Sequence, residues 1–345
     1  MGASQAMTGV QLQDFFYEIL AGAGKAACLF AALDLGLEAA LARGPRAEAE
    51  LITALGLEPH RGHKWLVLLE TVGLIEGRPD PEAGGTRYAN GPLLAVLADP
   101  GTAYFYREFM RYWRTAALHE MSGVVRGAPV PYPVRYPPQA DSDVALLHDW
   151  MREGALLTLA TIEKRFDFGQ VRRILDVGGG DATMACEVTR RHPHLRSTVF
   201  NLPKAAALGR ANVAARGAGE RVEIVEGDFF RDDLPPGGFD LVMFSRVLAD
   251  WPPDVCRMLL RKARASLAPG GILLVAEPFR DQNPALSIAW EHSYLPYDDF
   301  GAYVYKTTGY YADLFAEAGF VELQSLPRDE GSIHGVMTAR RPLEG

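Results

Sequence analysis

Between Arg173 and Ala276 the chain carries five short apolar segments, and the first runs straight into three consecutive glycines. The segments are Arg173–Val177, Thr198–Leu202, Val222–Glu226, Leu241–Phe244 and Ile272–Ala276, with helix-forming stretches such as Asp181–Arg191 between them. Short apolar strands alternating with helices at this spacing predict a doubly wound parallel α/β sheet. Such sheets bind ligands beyond the carboxyl ends of their strands, where the strand order reverses. Asp176-Val177-Gly178-Gly179-Gly180-Asp181-Ala182 falls at that place. Glycines let a backbone approach a ligand closely, and a helix start offers free N–H groups. A glycine triplet alone also suits a plain tight turn. A dinucleotide fingerprint would carry a final glycine where Thr183 stands, so a nucleoside ligand without a pyrophosphate fits better. Asn201 ends the second strand, where a side chain can bond ribose hydroxyls. Gly227-Asp228-Phe229-Phe230 follows the third and offers a carboxylate and an aromatic face to an adenine ring. Ser245-Arg246 closes the fourth.

A chain of 345 residues is long for one ordinary core and suggests more than one domain. The boundaries expected are 1–100 for a helical winged-helix-like dimerisation domain, 101–166 for connecting helices that contribute to the substrate pocket, and 167–345 for the Rossmann-like domain. Helical spacing of Phe15, Phe16, Ile19 and Leu20, a short helix closed by Gly56, and another from His63 ending at Gly73 fill the first region. Ile75–Tyr88, with its glycines and prolines, reads as a two-stranded wing. Phe105–Val125 reads as an aromatic-rich helix, Gly127–Pro138 with five prolines as a loop, and Asp143–Phe166 as a further helix.

Composition excludes several classes. A net charge of -8 gives no basic face for nucleic acid and no attraction to an anionic membrane. No apolar run of about 18 residues is expected to cross a bilayer, and the first residues lack a signal peptide's pattern. Cys28, Cys186 and Cys256 are odd in number and far apart. They read as buried thiols of a reducing cytoplasm, with neither disulfide nor metal site.

The motifs Leu175-Asp176-Val177-Gly178-Gly179-Gly180, Phe200-Asn201-Leu202-Pro203, Gly227-Asp228-Phe229-Phe230, Ser245-Arg246-Val247-Leu248-Ala249-Asp250-Trp251 and Ala276-Glu277-Pro278 together resemble the plant and bacterial small-molecule O-methyltransferases. The resemblance spans nearly the whole chain. It implies a class I methyltransferase fold, S-adenosyl-L-methionine as cofactor, a homodimer and a small aromatic substrate of natural-product biosynthesis. It also implies cofactor contacts from Asp176, Gly178, Gly179, Gly180, Asn201, Leu202, Asp228, Phe229, Ser245 and Arg246. Asn201 stands where that family usually has Asp, which removes a charge-assisted bond to ribose.

The family's base is a His before the Asp-Trp pair; here it is Ala249. Glu277 matches one family Glu. A second, expected before an Arg-Thr pair, is Tyr305 in Tyr305-Lys306-Thr307. Three reactions stay open: methylation of a ring carbon of a phenol, methylation of oxygen with a relocated base, and a reaction that transfers no methyl group. The segments Ser197–Pro203 and His292–Leu295 resemble the carbon-methylating branch, which includes bacteriochlorophyllide and aromatic amino-acid carbon-methyltransferases. That favours carbon and a tyrosine-like substrate. His292, Glu277 and Tyr305 are then the catalytic candidates, and His119, Trp113, Met151, Trp290 and Tyr294 the substrate-binding ones. His148 is a weaker candidate. His60, His63, His192, His194 and His334 read as ordinary surface or loop residues. A non-enzymatic winged-helix regulator is disfavoured, since His63, Lys64 and Arg61 are too sparse for a recognition helix.

Overall fold

The protein is described from a computed structural model. It describes residues 9–81, 84–99, 106–107, 110, 113–114, 121–129, 141–295, 304–328, 332 and 334–343, with the backbone alone for 141–150. The chain divides into two compact units, Met1–Arg107 and Glu108–Gly345.

The first unit opens with α1 (Gly9–Asp34) and α2 (Leu37–Ala40). The strand β1 (Arg46–Ala47), helices α3 (Glu48–Ala54) and α4 (Pro59–Thr71), strands β2 (Ile75–Pro79) and β3 (Thr86–Asn90), and α5 (Pro92–Ala98) follow. The predicted wing is present, and β1 adds a third strand to it on the far side of β3. Helix α4 begins before His63 because Glu58 accepts the N–H groups of His60 and Arg61 and Pro59 takes the first helical position, where its missing N–H costs nothing. Gly56 and Gly73 adopt φ of +63° and +76°, the left-handed stops that glycine permits.

Helix α1 corrects one expectation. It holds a stretch, Val10–Asp34, long and apolar enough to cross a membrane by length and composition. Lys25, Glu18 and several glycines and alanines break any continuous run of large apolar residues, although the mean hydropathy of the stretch stays high. Phe15, Phe16, Ile19 and Leu20 are more than half exposed within the unit.

The second unit contains α6 (Met121–Val125), α7 (Asp141–Arg165), β4 (Arg173–Val177), α8 (Thr183–Arg191), β5 (Arg196–Asn201), α9 (Pro203–Ala215), β6 (Val222–Glu226), β7 (Phe239–Ser245), α10 (Pro253–Ser266), β8 (Leu267–Glu277), α11 (Pro284–Tyr294), α12 (Thr308–Glu317), β9 (Val321–Leu326) and β10 (Gly335–Arg340). The seven strands lie in the order β6-β5-β4-β7-β8-β10-β9. All five predicted strands are there, and β4 through β8 pair in parallel. The sheet is not parallel throughout: β10 enters antiparallel between β8 and β9. Most of the predicted helix Phe105–Val125 and of the proline-rich loop lies outside the described residues.

Alternation along the strands builds two cores. Leu175, Val177, Val242, Phe244, Leu273 and Val275 pack with Leu259 and Leu260 of α10 and Leu314 and Phe315 of α12. Ile174, Leu241, Met243, Leu274 and Ala276 pack with Leu159 and Ile162 of α7 and Met184 and Val188 of α8. Burying a Leu or Val side chain is worth about 1.5–3 kcal/mol. Together the cores hold rigid the strand ends on which the site is built. The three cysteines are free and buried.

Candidate active site

The strand β4 ends in a turn whose backbone only glycine accepts at ease. Gly178 and Gly180 have φ of +74° and +58°. A Cβ on Gly178 would stand 2.9 Å from Val247 Cγ2, and one on Gly179 would stand 2.3 Å from Asp176 Oδ2. Asp176 shares the strand face of Ile174 and is 1% exposed. Both its carboxylate oxygens lack a hydrogen-bond partner, and burial raises it to about 7. An unpaired buried carboxylate costs several kcal/mol in charged form (on the order of 1–3 even for one lost hydrogen bond), so the site is built for a cationic or donating ligand. That fits the methionine end of S-adenosylmethionine, cradled by Gly178–Gly180.

The rest of the predicted cofactor shell sits on neighbouring strand ends. Asn201 donates to the Gly180 carbonyl at 3.2 Å and accepts the Leu202 N–H at 2.9 Å. Asn replaces Asp here with a second job, tying the glycine turn to β5, which a carboxylate could not do. Leu202 is 52% exposed. Asp228 accepts the Phe230 N–H at 2.9 Å. The Phe229 ring meets Trp251 edge-on at 5.6 Å, giving an aromatic wall. Arg246 has φ of +55°, a conformation costly for a side-chain-bearing residue and typical of functional sites. Its guanidinium donates to the Met151 carbonyl of α7 at 3.1 Å. Ser245 closes β7 opposite Ala276.

Ala249 lies in a short turn, Leu248–Asp250, and is 5% exposed. Two ionisable side chains from elsewhere close on its backbone. Glu277 Oε1 accepts the N–H of Val247 at 3.0 Å and of Ala249 at 3.3 Å. Lys306 Nζ donates to the Ala249 carbonyl, with the Leu248 and Val304 carbonyls at 3.5 Å. Glu277 Oε2 is buried without a partner. Burial and the nearby Asp250 push Glu277 up to about 8. Since Oε1 accepts two donors, the proton held near neutrality rests on Oε2. Lys306 was not singled out by sequence; its signal was a Lys where the family places Arg.

On α11, the His292 ring lies 5.0 Å from that of Trp113. Its Nδ1 is buried and unpartnered, and burial lowers its affinity for a proton. Trp290 stacks on Tyr294 at 5.7 Å and meets Tyr305 edge-on at 5.9 Å. Tyr305 is 5% exposed. Burial holds its hydroxyl protonated, and its backbone N–H donates to Glu291 Oε1 at 2.8 Å. The structure thus brings His292 to Trp113, and Trp290 to Tyr294 and Tyr305. Met151 enters through its carbonyl. His119 lies outside the described residues, as does the His148 side chain.

His334 overturns its expectation. It is no surface histidine but 4% exposed, immediately before β10, whose first residue pairs with Glu277. Nothing local in the sequence marks this, because β10 comes to lie beside β8 only in the folded chain. Among the described residues no group of three His, Cys, Asp or Glu side chains could hold a metal ion.

Comparison with known proteins agrees with this fold. The O-methyltransferase domain family matches residues 132–321. A 3-hydroxy-5-methyl-1-naphthoate 3-O-methyltransferase of Streptomyces sahachiroi is 31% identical over 273 residues, 77% of this chain and 77% of its own length. The acetylserotonin O-methyltransferase of Mus musculus is 30% identical over 334 residues, covering 90% of this chain and 84% of its own. Among solved structures, the S-adenosylmethionine-dependent methyltransferase SibL in its apo form superposes with a TM-score of 0.77 at 28% identity, covering 94% of this chain and 98% of its own.

Proposed function

Because the chain belongs to the O-methyltransferase domain family of S-adenosylmethionine-dependent methyltransferases, we propose that it methylates a small hydroxylated aromatic compound at a ring carbon beside or opposite the hydroxyl. The cofactor is S-adenosylmethionine, held by Asp176, the Gly178–Gly180 turn, Asn201, Leu202, Asp228, Phe229, Ser245 and Arg246. When bound it supplies a methyl group already activated on a sulfonium centre. The protein's own part is to orient the acceptor and to hold or move its proton.

The observation that carries the carbon reading is Ala249. The position has no titratable group, and its backbone is enclosed by Glu277 and Lys306. A hydroxyl oxygen aimed at the methyl group would therefore have no base beside it. A ring carbon aimed there carries its hydroxyl off to one side, where a base on another element serves. His292 on α11 is the group we assign to that proton: it takes the proton as the ring carbon attacks the methyl group, and returns it to the oxygen as the methylated carbon releases its own hydrogen to solvent, which restores the aromatic ring. His292 is neutral, its Nδ1 lacks a partner, and its ring lies against that of Trp113, an aromatic surface that suits a flat ring.

Oxygen is the second reading, favoured by the two relatives above, both named as O-methyltransferases. Neither name supports the carbon-methylating branch. The test is incubation with S-adenosylmethionine labelled at the methyl carbon and a set of phenols. An aryl-methyl carbon shift supports the proposal; a methoxy shift overturns it in favour of oxygen.

We further assign the exposed apolar half of α1 to a second copy of the chain, in a cytoplasmic homodimer without nucleic-acid or membrane partners. What supports this is the exposure of Phe15, Phe16, Ile19 and Leu20 together with the net charge of -8.

A further inference from the structure

Thr158 of α7 is fully buried, and its hydroxyl donates to the Gly154 carbonyl at 2.9 Å. A hydroxyl has one proton, and this one is committed. The contact of 2.9 Å between Thr158 Oγ1 and His334 Nδ1 must then have the imidazole donating. That sets the tautomer: the proton is on Nδ1, and Nε2 presents a bare lone pair. No hydrogen bond to Nε2 exists among the described residues, although the residue is 4% exposed. Nε2 is therefore an open acceptor on a residue that is otherwise enclosed.

The place is the substrate end of the sheet. His334 immediately precedes Gly335, which pairs with Glu277 at the carboxyl end of β8. Met151, Gly154 and Thr158 follow one another on one face of α7. The Met151 carbonyl holds the Arg246 guanidinium and Thr158 holds His334. The two groups are therefore anchored within two turns of one helix, roughly 10 Å. Burial and the Arg246 charge hold the imidazole down to about 3, so it stays neutral at any physiological pH. The same charge repels a cationic ligand. What remains is a neutral donor, a hydroxyl or an aryl N–H.

We propose that His334 is a specificity-determining residue whose Nε2 accepts a hydrogen bond from a second polar substituent of the methyl acceptor. The substrate class is thereby narrowed to aromatic rings carrying two neutral donors, such as dihydroxy or amino-hydroxy rings. This rests on the aromatic-acceptor reading above and deepens it.

The test uses the full chain with catechol, resorcinol and 2-aminophenol against phenol. Asn places its amide nitrogen where His carries Nδ1, so His334→Asn keeps the bond to Thr158 and deletes the Nε2 acceptor. Gln places its oxygen where His carries Nε2. The wild type should prefer at least one two-donor ring to phenol by tenfold or more in kcat/KM, because a site built to bond a hydroxyl rejects its absence strongly. His334→Asn should bring that ratio near one at unchanged S-adenosylhomocysteine affinity, and His334→Gln should recover part of it. A His334→Asn variant that binds S-adenosylhomocysteine normally and retains the wild-type preference overturns the inference. So does a wild type that shows no preference. If no ring is methylated, the methyl-acceptor reading has failed. Calorimetry of catechol and phenol on S-adenosylhomocysteine-loaded wild type and His334→Asn then decides the subsite: lost preference in the variant supports it, and equal binding of both rings, or of neither, overturns it.

Discussion

Glu277 accepts the backbone N–H of Ala249 at 3.3 Å through the same oxygen that accepts Val247, while its other oxygen is buried without a partner. The carboxyl group is thus poised beside a position whose side chain is a single methyl group. Ala249→His would put a titratable ring on the turn whose backbone Glu277 holds. The expected outcome is a shift of product from aryl-methyl toward methoxy by tenfold or more, since a positioned general base is worth about 10²–10⁴ in rate. Carbon-13 shifts of the products read it. An unchanged product ratio in a variant with normal thermal unfolding counts against the role assigned to this gap.

His292 carries the proton transfer in the proposed reaction. His292→Ala should lower kcat by about 10²-fold or more while leaving S-adenosylhomocysteine affinity within twofold. Turnover close to wild type would return His292 to a packing role against Trp113.

Asp176 links pH to both stability and cofactor binding. Its folded pKa is raised, from 3.8 to about 7, so the folded state holds the proton more tightly than the unfolded one. The stabilisation is complete below about pH 4 and is lost as pH rises toward 7, with a slope of up to about 1.4 kcal/mol per pH unit. Asp176→Asn removes this dependence, and the ligand-free variant should melt higher than wild type at pH 8. S-adenosylhomocysteine should bind the wild type more tightly as pH rises through 7, with proton release visible by calorimetry in buffers of different ionisation enthalpy. Binding that does not change with pH would remove Asp176 from the cofactor's ammonium end.

Lys306 holds the base-less turn through two of its carbonyls, those of Leu248 and Ala249. Lys306→Met should destabilise the fold by about 1.5–3 kcal/mol, the worth of a hydrogen bond to a charged group, read by urea unfolding. Lys306→Arg should retain most of that stability. Equal stability of all three proteins would show that the turn holds itself.

The exposed half of α1 should join two copies. Phe16→Asp with Ile19→Asp should reduce the mass by light scattering from a dimer to the 37.7 kDa of one chain. A wild type that is monomeric, or that floats with phosphatidylcholine vesicles, would overturn the dimer in favour of a free helix or a membrane-seated one.

The five parallel strands and the glycine turn were legible in the sequence because each rests on local physics. Strand alternation is a property of a few adjacent residues, and a turn with two positive φ angles selects glycine residue by residue. Ala249 was legible for the same reason, as an absence within a continuous motif. Resemblance, not periodicity, supplied the identity of the cofactor.

The remainder depended on contacts distant along the chain. Thr158 and His334 lie 176 positions apart and meet only because β10 inserts antiparallel beside β8. No periodicity announces that insertion, so a histidine that reads as a loop residue ends up buried at the sheet's carboxyl edge. Lys306 likewise reaches Ala249 across 57 positions. Sequence alone determined that this chain builds a nucleoside-binding sheet and lacks the expected base. Tertiary structure alone decided which groups surround the gap, which partner His334 meets, and which carboxyl groups are buried. Burial and long-range pairing set those properties, and neither is encoded within any short stretch of residues.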